Sequence, residues 1–509
     1  MGAIQDLDLL VVGAGPTGLA LALQAASCGA RVAVLDSRDG TPQPSRALVL
    51  HPRTLEVLRP LGVTDELAAH GRPRLRAVLH TGRHRVPVDL DHLPLPDTAF
   101  GHLLLVSQAL VERVLGDRLA ALGVPVHWGA EVRRVSPVEG LVQVMVEGRE
   151  NPWEAMFVVG CDGADSTVRQ QVGISFPGRP YRHSVVVADV EVTGFDPGAA
   201  AAHVFVGADG LLFFFALGER ATWRLIAAGP HGTQSSSSGA PDGTETLRRL
   251  VSSQTAGVVR LTSVAWTEHV RLRHHLARCY RRGNVFVAGD AAHVHSPAGA
   301  QGMNTGIQDA CNLGWKLALA AGGWPDADDL LDSYERERRP VARLGTAWTS
   351  LAWWGESATG PAARLARQGV VPRLAPVALH HLSTLAPAVR LVTGLAQTYR
   401  RSSALLPLAG SRKVRAGDRL PDVALGHGAP APHLHDLLAD PAYHLLLLGD
   451  AHEPTPSTSL PPGWVRPVRL DGAAAQRVAA RLRVACPASC LVRPDGYVQQ
   501  LATVSHVTA

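Results

Sequence analysis

Residues 7–36 read LDLLVVGAGPTGLALALQAASCGARVAVLD, and this stretch decides the fold. Leu7 to Val12 is a short apolar run, a strand. Gly13, Gly15 and Gly18 interrupt it, and an Ala/Leu-rich helical segment follows to about Ser27. Arg31 to Leu35 gives a second strand, closed by Asp36. Strand, tight turn, helix and strand in this order open a parallel α/β sheet. Gly13 permits the turn, Gly15 lets the backbone approach a pyrophosphate, and Gly18 allows close helix–strand packing. Free N–H groups at the helix start face the phosphate charge. Asp36 stands where a carboxylate accepts ribose hydroxyls, and it favours a free 2′-hydroxyl over a 2′-phosphate. The unit marks a dinucleotide site without distinguishing FAD from NAD.

At 509 residues the chain is long enough for about three domains. Charged residues make up 18% against 46% apolar, a globular balance rather than a disordered one. A net charge of +5, with no basic tail or stripe, gives no support to nucleic-acid binding. Lys316 and Lys413 are the only lysines, a sign of GC-rich coding. The six cysteines form neither a CxxC pair nor a structural-zinc pattern; they read as small buried side chains. The start of the chain lacks the pattern of a secretory signal, and no uninterrupted run of 18 uncharged apolar residues occurs. The expectation is a soluble, cytoplasmic protein with no integral membrane segment and no metal.

Along the chain, residues 52–61 and 106–122 have helical spacing, and 75–90 alternates like strands. Residues 142–146 and 155–159 are strand-like and lead into GCDGADSTVR, residues 160–169. From 184 to 228 the period is that of short β runs, and residues 233–243 (TQSSSSGAPDG) form a turn-rich insertion. Residues 284–288 return to a buried parallel strand before a long helix expected from about Gly306 to Ala321. Residues 345–400 are mostly helical, and 418–509 suffice for a small α/β domain.

One further stretch bears on the cofactor: NVFVAGDAAHVHSPAGAQGMNTGIQDACNLGWKLA, residues 284–318. Together with VVGAGPTG, GCDGADSTVR and SRALVLHPRTLEVLRPLG (residues 45–62), it resembles the para-hydroxybenzoate-hydroxylase fold family of FAD monooxygenases. The closer likeness is to the subgroup acting on aromatic polyketides and large phenols, over roughly residues 5–400. The resemblance implies that Gly13, Gly15 and Gly18 meet the FAD pyrophosphate and Asp36 its ribose. It implies FAD contacts for Arg46 and Gln108, and a DG motif at Asp162 and Gly163. It sets Asp290 by the ribityl chain and Pro297 in the loop near the flavin ring. Gly302, Met303 and Asn304 fall beside the pyrimidine edge. From the residues alone, Asp290 reads equally as a turn or helix-start residue. His293 and His295 alternate like metal ligands but lack a third.

The activity implied is hydroxylation of a large phenolic or polycyclic aromatic polyketide through a flavin C4a-hydroperoxide. FAD is expected noncovalently bound, NADPH (or NADH) is the reductant, and dioxygen is the co-substrate. Baeyer–Villiger or ring-cleaving oxygenation, and a flavin-bearing binding or redox-sensor protein, are the alternatives. The ring must lie between the flavin domain and a β-rich middle domain. Phe213, Phe215, Trp223 and Trp266 are candidate lining residues, and His269 and Arg271 candidate groups to orient a phenolate. GDRLPDVAL (residues 417–425) and LVRPDGYV (residues 491–498) resemble the thioredoxin-like extension of the polyketide subgroup, here without CxxC. The extension is expected to be structural or to support a homo-oligomer.

The fold class expected is therefore α/β: a three-layer Rossmann-like FAD-binding domain, a mixed-sheet substrate domain and a C-terminal thioredoxin-like domain. The flavin domain would be assembled from residues 1–74, 105–180 and 270–345. The substrate domain would take 75–104 and 181–269, a helical connector 346–404, and the last domain 405–509.

Overall fold

The computed structural model describes the chain except for residues 1–6, 41–47, 73–75, 83, 92, 182–183, 195–200, 208–209, 217–220, 229–241, 297, 358–359, 381–385, 401–402, 406–412, 451–459, 462 and 504–509. Most of the turn-rich insertion at 233–243 lies outside the described residues, as do Arg46 and Pro297.

The first sheet is built around Leu7–Val12, which pairs in parallel with Trp153–Gly160 on one side and Val32–Leu35 on the other. Val285–Val287 adds in parallel to Trp153–Gly160, and Val126–His127 to Val32–Leu35. Parallel strands buried on both faces need no polar alternation, which is why LLVV, FVV and VFV are continuous apolar runs. Helices Pro16–Ser27 and Gln301–Ala321 pack together over this sheet. Leu9, Leu10, Val11, Val158, Phe286 and Ile307 lie in one core beneath them. The consequence for function is topological. Strand ends at Val12, Gly160 and Val287 come to the same edge, so three motifs separated by well over a hundred residues meet there. The long helix starts at Gln301 rather than near Gly306. Gly302 and Gly306 both lie inside it, and Gly306 serves close approach rather than a turn.

The second sheet has seven strands in the order Arg260–Val270, Val185–Thr193, Trp223–Ala228, Leu211–Ala216, Ala202–Val206, Arg76–Thr81 and His84–Asp89. All neighbours are antiparallel except Ala202–Val206 with Arg76–Thr81, so the sheet is mixed. Helix Asp242–Gln254 covers one face, where Leu247, Leu250 and Val251 pack on Phe205, Leu212, Phe214, Trp223 and Leu225. The other face meets the flavin-side residues Leu48, Val49, Leu105 and Ala300 through Ala77, Ala202 and Phe215.

After helix Ala327–Ser357 and shorter helices to Val392, the chain ends in a four-stranded sheet. Its order is Val465–Leu470, Tyr443–Leu448, Ala488–Val492 and Val498–Thr503. The first two strands in sequence are parallel, and the third and fourth follow antiparallel. That second–first–third–fourth order, with helix Gly472–Leu482 between the second and third strands, is a thioredoxin-like arrangement.

Candidate active site

Gly13 has φ +108°, and a Cβ there would fall 2.3 Å from the Cys161 carbonyl oxygen. A Cβ on Gly18 would fall 1.8 Å from the Gly13 oxygen. Gly15 is different: a Cβ would meet nothing within 4 Å, so open space faces the helix start. Helix Pro16–Ser27 begins with no side-chain cap and no acidic residue in its first turn. Its leading N–H groups are therefore presented to that space.

Asp36 is buried and braces the turn by accepting from the Ala14 N–H at 2.6 Å. It also takes the Arg38 backbone N–H at 2.8 Å and the Arg38 guanidinium at 2.9 and 3.0 Å. These four bonds fill its acceptor capacity. A ribose hydroxyl reaches Asp36 only if the Arg38 side chain turns away. Gln108 donates to Glu112 at 2.8 Å, and Glu112 lies 3.6 Å from Arg38. Arg38 and Glu112 were missed by motif reading, because neither occupies a glycine-turn position.

The other two motifs close on the same place. Gly289 has φ +60°, and its Cβ would strike Thr17 Oγ1 at 2.5 Å; that of Gly306 would strike the same atom at 2.3 Å. Thr17, second in the first helix, thus wedges between the turn that carries Asp290 and the long helix. Asp290 itself is exposed in the one-turn 3-10 segment Gly289–Ala291. Asp162 Oδ2 accepts from the Val168 N–H at 3.0 Å, while its Oδ1 has no hydrogen-bond partner. Burial pushes the Asp162 carboxyl above its ordinary range. Gly163 follows with φ +82° and open space.

Beneath Gly289 lies a fully buried carboxylate that the motif reading did not single out. Asp309 accepts from His293 Nε2 at 2.6 Å, Arg338 Nε at 2.6 Å and the Gly289 N–H at 3.3 Å. Burial raises its carboxyl, but Arg338 and His293 outweigh that and hold it below the usual range. His293 is thus committed to Asp309, and its ring lies parallel to that of His295. Among the described residues no three His, Cys, Asp or Glu side chains form a metal-binding group. Asn304 is buried: its Oδ1 accepts from the His51 N–H at 2.8 Å, and its Nδ2 donates to Val49 and Ala300 carbonyls at 2.9 and 2.8 Å. Its side chain therefore pins residues 49–51 to the helix start, where only its backbone remains for a ligand. Gly302 and Met303 stand half-buried beside it.

Strand register sorts the substrate-side candidates. One rung across all seven strands reads Trp266, Asp189, Arg224, Phe215, Ala202, Ala77 and Val88. The next on that face reads Glu268, Val187, Ile226, Phe213, Val204, Leu79 and Val86. Side chains of register partners share a face, and this is the face toward Ala300 and Leu48. Phe213, Phe215 and Trp266 thus stand on the flavin side. Trp223 does not: it pairs with Ala216 and Val190 and is 1% exposed in the core under helix Asp242–Gln254. His269 pairs with Val186 and so points to that far side, exposed. Arg271 lies just past the strand end, also exposed. In their place the near face carries Arg224, fully buried and forked onto both Asp189 oxygens at 2.7 and 3.0 Å. The Trp266 ring lies 5.8 Å from the Arg224 guanidinium. Charges inside the apolar runs VVVADVEV and WRLIAA were the available signal.

Residues 6–349 match the FAD binding domain family. The chain belongs to that family. It is 34% identical over 465 residues to the 6-methylpretetramide 4-monooxygenase of Streptomyces rimosus, covering 87% of this chain and 79% of that protein. Its fold matches the solved anhydrotetracycline hydroxylase OxyS of Streptomyces rimosus with a TM-score of 0.76 at 28% identity, over 98% of this chain and 96% of that one. A Diels-Alderase of pyrroindomycin biosynthesis matches with a TM-score of 0.74 at 28% identity, over 98% and 97%. As a member of the FAD-binding-domain family, the chain takes FAD as cofactor, and the strand-end edge fits it. Space opens at Gly15 before an uncapped helix, and Asp290 is exposed beside that helix. The long helix also starts without a side-chain cap, at Ala300. Among the described residues no helix is long and apolar enough to cross a membrane.

Proposed function

We propose that this FAD-binding-domain protein is a monooxygenase that hydroxylates a large phenolic or polycyclic aromatic polyketide. Bound FAD, held noncovalently, takes reducing equivalents from NADPH in preference to NADH and activates dioxygen. Gly13, Gly15 and Gly18 with the helix start receive the pyrophosphate; Asp36, once Arg38 swings off it, meets the ribose. Asp290 receives the ribityl chain. Backbone groups of Gly302, Met303 and Asn304 line the pyrimidine edge, with Gln108, Asp162 and Gly163 at the margins. The flavin domain takes residues 1–74, 105–180 and 270–345, and the substrate domain 75–104 and 181–269. On this reading Phe213, Phe215 and Trp266 hold the aromatic substrate, and the buried Arg224–Asp189 pair fixes the strands that carry them. The protein's work is to bind and orient the ring against the cofactor and to keep water out.

The observation that carries this reading is likeness over nearly the whole chain to an anhydrotetracycline hydroxylase, joined to an aromatic, ion-paired sheet face turned toward Ala300. The likeness to a Diels-Alderase keeps a second reading alive, in which the same chamber binds a polycyclic ligand with little redox turnover. A panel of polycyclic phenols assayed with NADPH and NADH separates the two. Ligand-stimulated NADPH oxidation with a product 16 Da heavier is expected for the hydroxylase. Ligand binding without reductant consumption would favour the second reading, and equal efficiency with NADH would reject the NADPH preference.

A further inference from the structure

The thioredoxin-like unit reaches the flavin side of the molecule through buried charges, and these converge on one short helix, Pro52–Leu58. Arg419, from the C-terminal unit, is 3% exposed and forks onto both oxygens of Glu56 at 2.9 and 3.0 Å. The same guanidinium donates to the Asp97 carboxylate at 3.2 Å and carbonyl at 2.6 Å. One turn earlier, Arg53 donates to Glu56 at 2.8 Å and to the Asp495 carbonyl of the C-terminal unit at 2.5 Å. Its guanidinium lies 4.8 Å from the Tyr497 ring. The helix is therefore held at two points by residues more than 360 positions away, both out of water.

What the helix carries explains why this matters. His51 is its N-cap, and the His51 N–H is the group bonded to Asn304 Oδ1. Thr54 Oγ1 accepts from Gln308 Nε2 of the long helix at 3.1 Å. Helix Pro52–Leu58 is thus a bridge: one side on Arg419 and Asp495, the other on the start of the helix proposed to border the flavin. Each grip is a charge-assisted fork or a bond to a buried carbonyl, which tolerates little displacement.

We infer that Arg419 is a positioning residue for the flavin site, and that the thioredoxin-like unit holds residues 49–51 against Asn304. This rests on the placement of the flavin edge at Asn304 proposed above. Three variants decide it: Arg419→Gln, Asn304→Ala and Glu337→Gln. Glu337 is the control. It binds Arg493 of the C-terminal unit at 2.6 and 2.8 Å and, on its own side of that interface, Lys316 and Asn312 at 2.7 Å, and among the described residues it makes no hydrogen bond or ion pair with residues 49–58. Each protein is measured for FAD dissociation constant, for melting temperature as apoprotein, and for hydrogen exchange of the residue 49–51 amides in the apoprotein.

R419Q and E337Q are both expected to lower the melting temperature. R419Q and N304A are expected to weaken FAD tenfold or more and to speed exchange at residues 49–51, with E337Q within threefold of wild type in both. If R419Q does not fold, R419K keeps the charge but loses the fork, and should weaken FAD at least threefold with the same exchange signature. FAD affinity unchanged in R419Q but weakened in N304A overturns the positioning role alone. Unchanged affinity in N304A overturns the flavin placement and the inference with it. Equal weakening in E337Q reduces Arg419 to general stability and also overturns the inference.

Discussion

Replacing Asp309 with Asn tests how the Asp290 turn is held. The side chain keeps its shape but loses its charge, and one of its two polar ends becomes a donor. Every neighbour of Asp309 is itself a donor: Arg338 Nε on one oxygen, His293 Nε2 and the Gly289 N–H on the other. Whichever way the amide lies, N–H faces N–H at full burial, and Arg338 loses the carboxylate that compensates its charge. Breaking a buried ion pair in this way costs about 3–5 kcal/mol. A cooperative unit of roughly 340 residues unfolds with an entropy near 0.7 kcal/mol/K, so the expected fall in Tm is roughly 4–7 °C. Because the Gly289 N–H is bonded to the same carboxylate, a side chain displaced or turned to relieve the clash loosens the Asp290 turn, and FAD binding should weaken in the same protein. Differential scanning calorimetry of the apoprotein and FAD titration by flavin fluorescence measure both. A D309N protein melting within about 1 °C of wild type, with unchanged FAD affinity, would refute the reasoning.

The remaining predictions concern the cofactor, the substrate face and pH. Asp290→Ala should weaken FAD by roughly 10- to 150-fold, the equivalent of one charged hydrogen bond, with activity restored by excess FAD; unchanged affinity in a stable D290A protein would remove Asp290 from the cofactor site. Phe215→Ala should raise the KM for a polycyclic phenol by tenfold or more, losing about 1.5–3 kcal/mol of apolar contact, whereas Trp223→Phe should lower stability and leave KM alone; the reverse pattern in steady-state kinetics would invert the face assignment. Burial lowers His51, His80, His203, His295 and His444 each to about 4. With an unfolded value near 6.5, the unfolded chain binds more protons between those limits, so stability is full above about pH 6.5 and falls as pH drops toward 4. Denaturant midpoints at pH 7, 6, 5 and 4 should decline steadily, and a flat series would contradict the burial of these rings.

The α/β class was readable from residues 7–36 because turn, helix and strand each leave a local mark there: glycines where a Cβ has no room, then apolar runs of the right period. Gly289 and Gly306 carry the same mark, but the atom they avoid, Thr17 Oγ1, is far away in sequence, so spacing alone made Gly306 a helix start. The substrate face shows a different limit. Aromatic residues advertise burial, not direction. Trp223 and Phe215 lie in adjacent strands, and their facing is set by the pairing of Ala216 with Trp223 across the connecting segment. A register irregularity between Asp189 and Val190 shifts the edge strand, so that Val264 and Trp266, two residues apart, fall on opposite sides. Neither offset is written in composition or period. The charges of Asp189 and Arg224 inside apolar strands were legible, since a lone charge there needs a partner, but only the register identifies that partner. The Asp36–Arg38 fork and the Asn304 bonds likewise depend on side-chain geometry that a motif cannot carry.

The central claim is that this chain inserts one atom of dioxygen into an aromatic polycyclic substrate. The direct measurement is turnover of a responsive phenol with NADPH under ¹⁸O₂, followed by mass spectrometry of the product. The account predicts a product carrying one ¹⁸O atom, formed in step with NADPH consumed. An unlabelled product, or NADPH oxidation that yields only hydrogen peroxide across the whole panel, would contradict it.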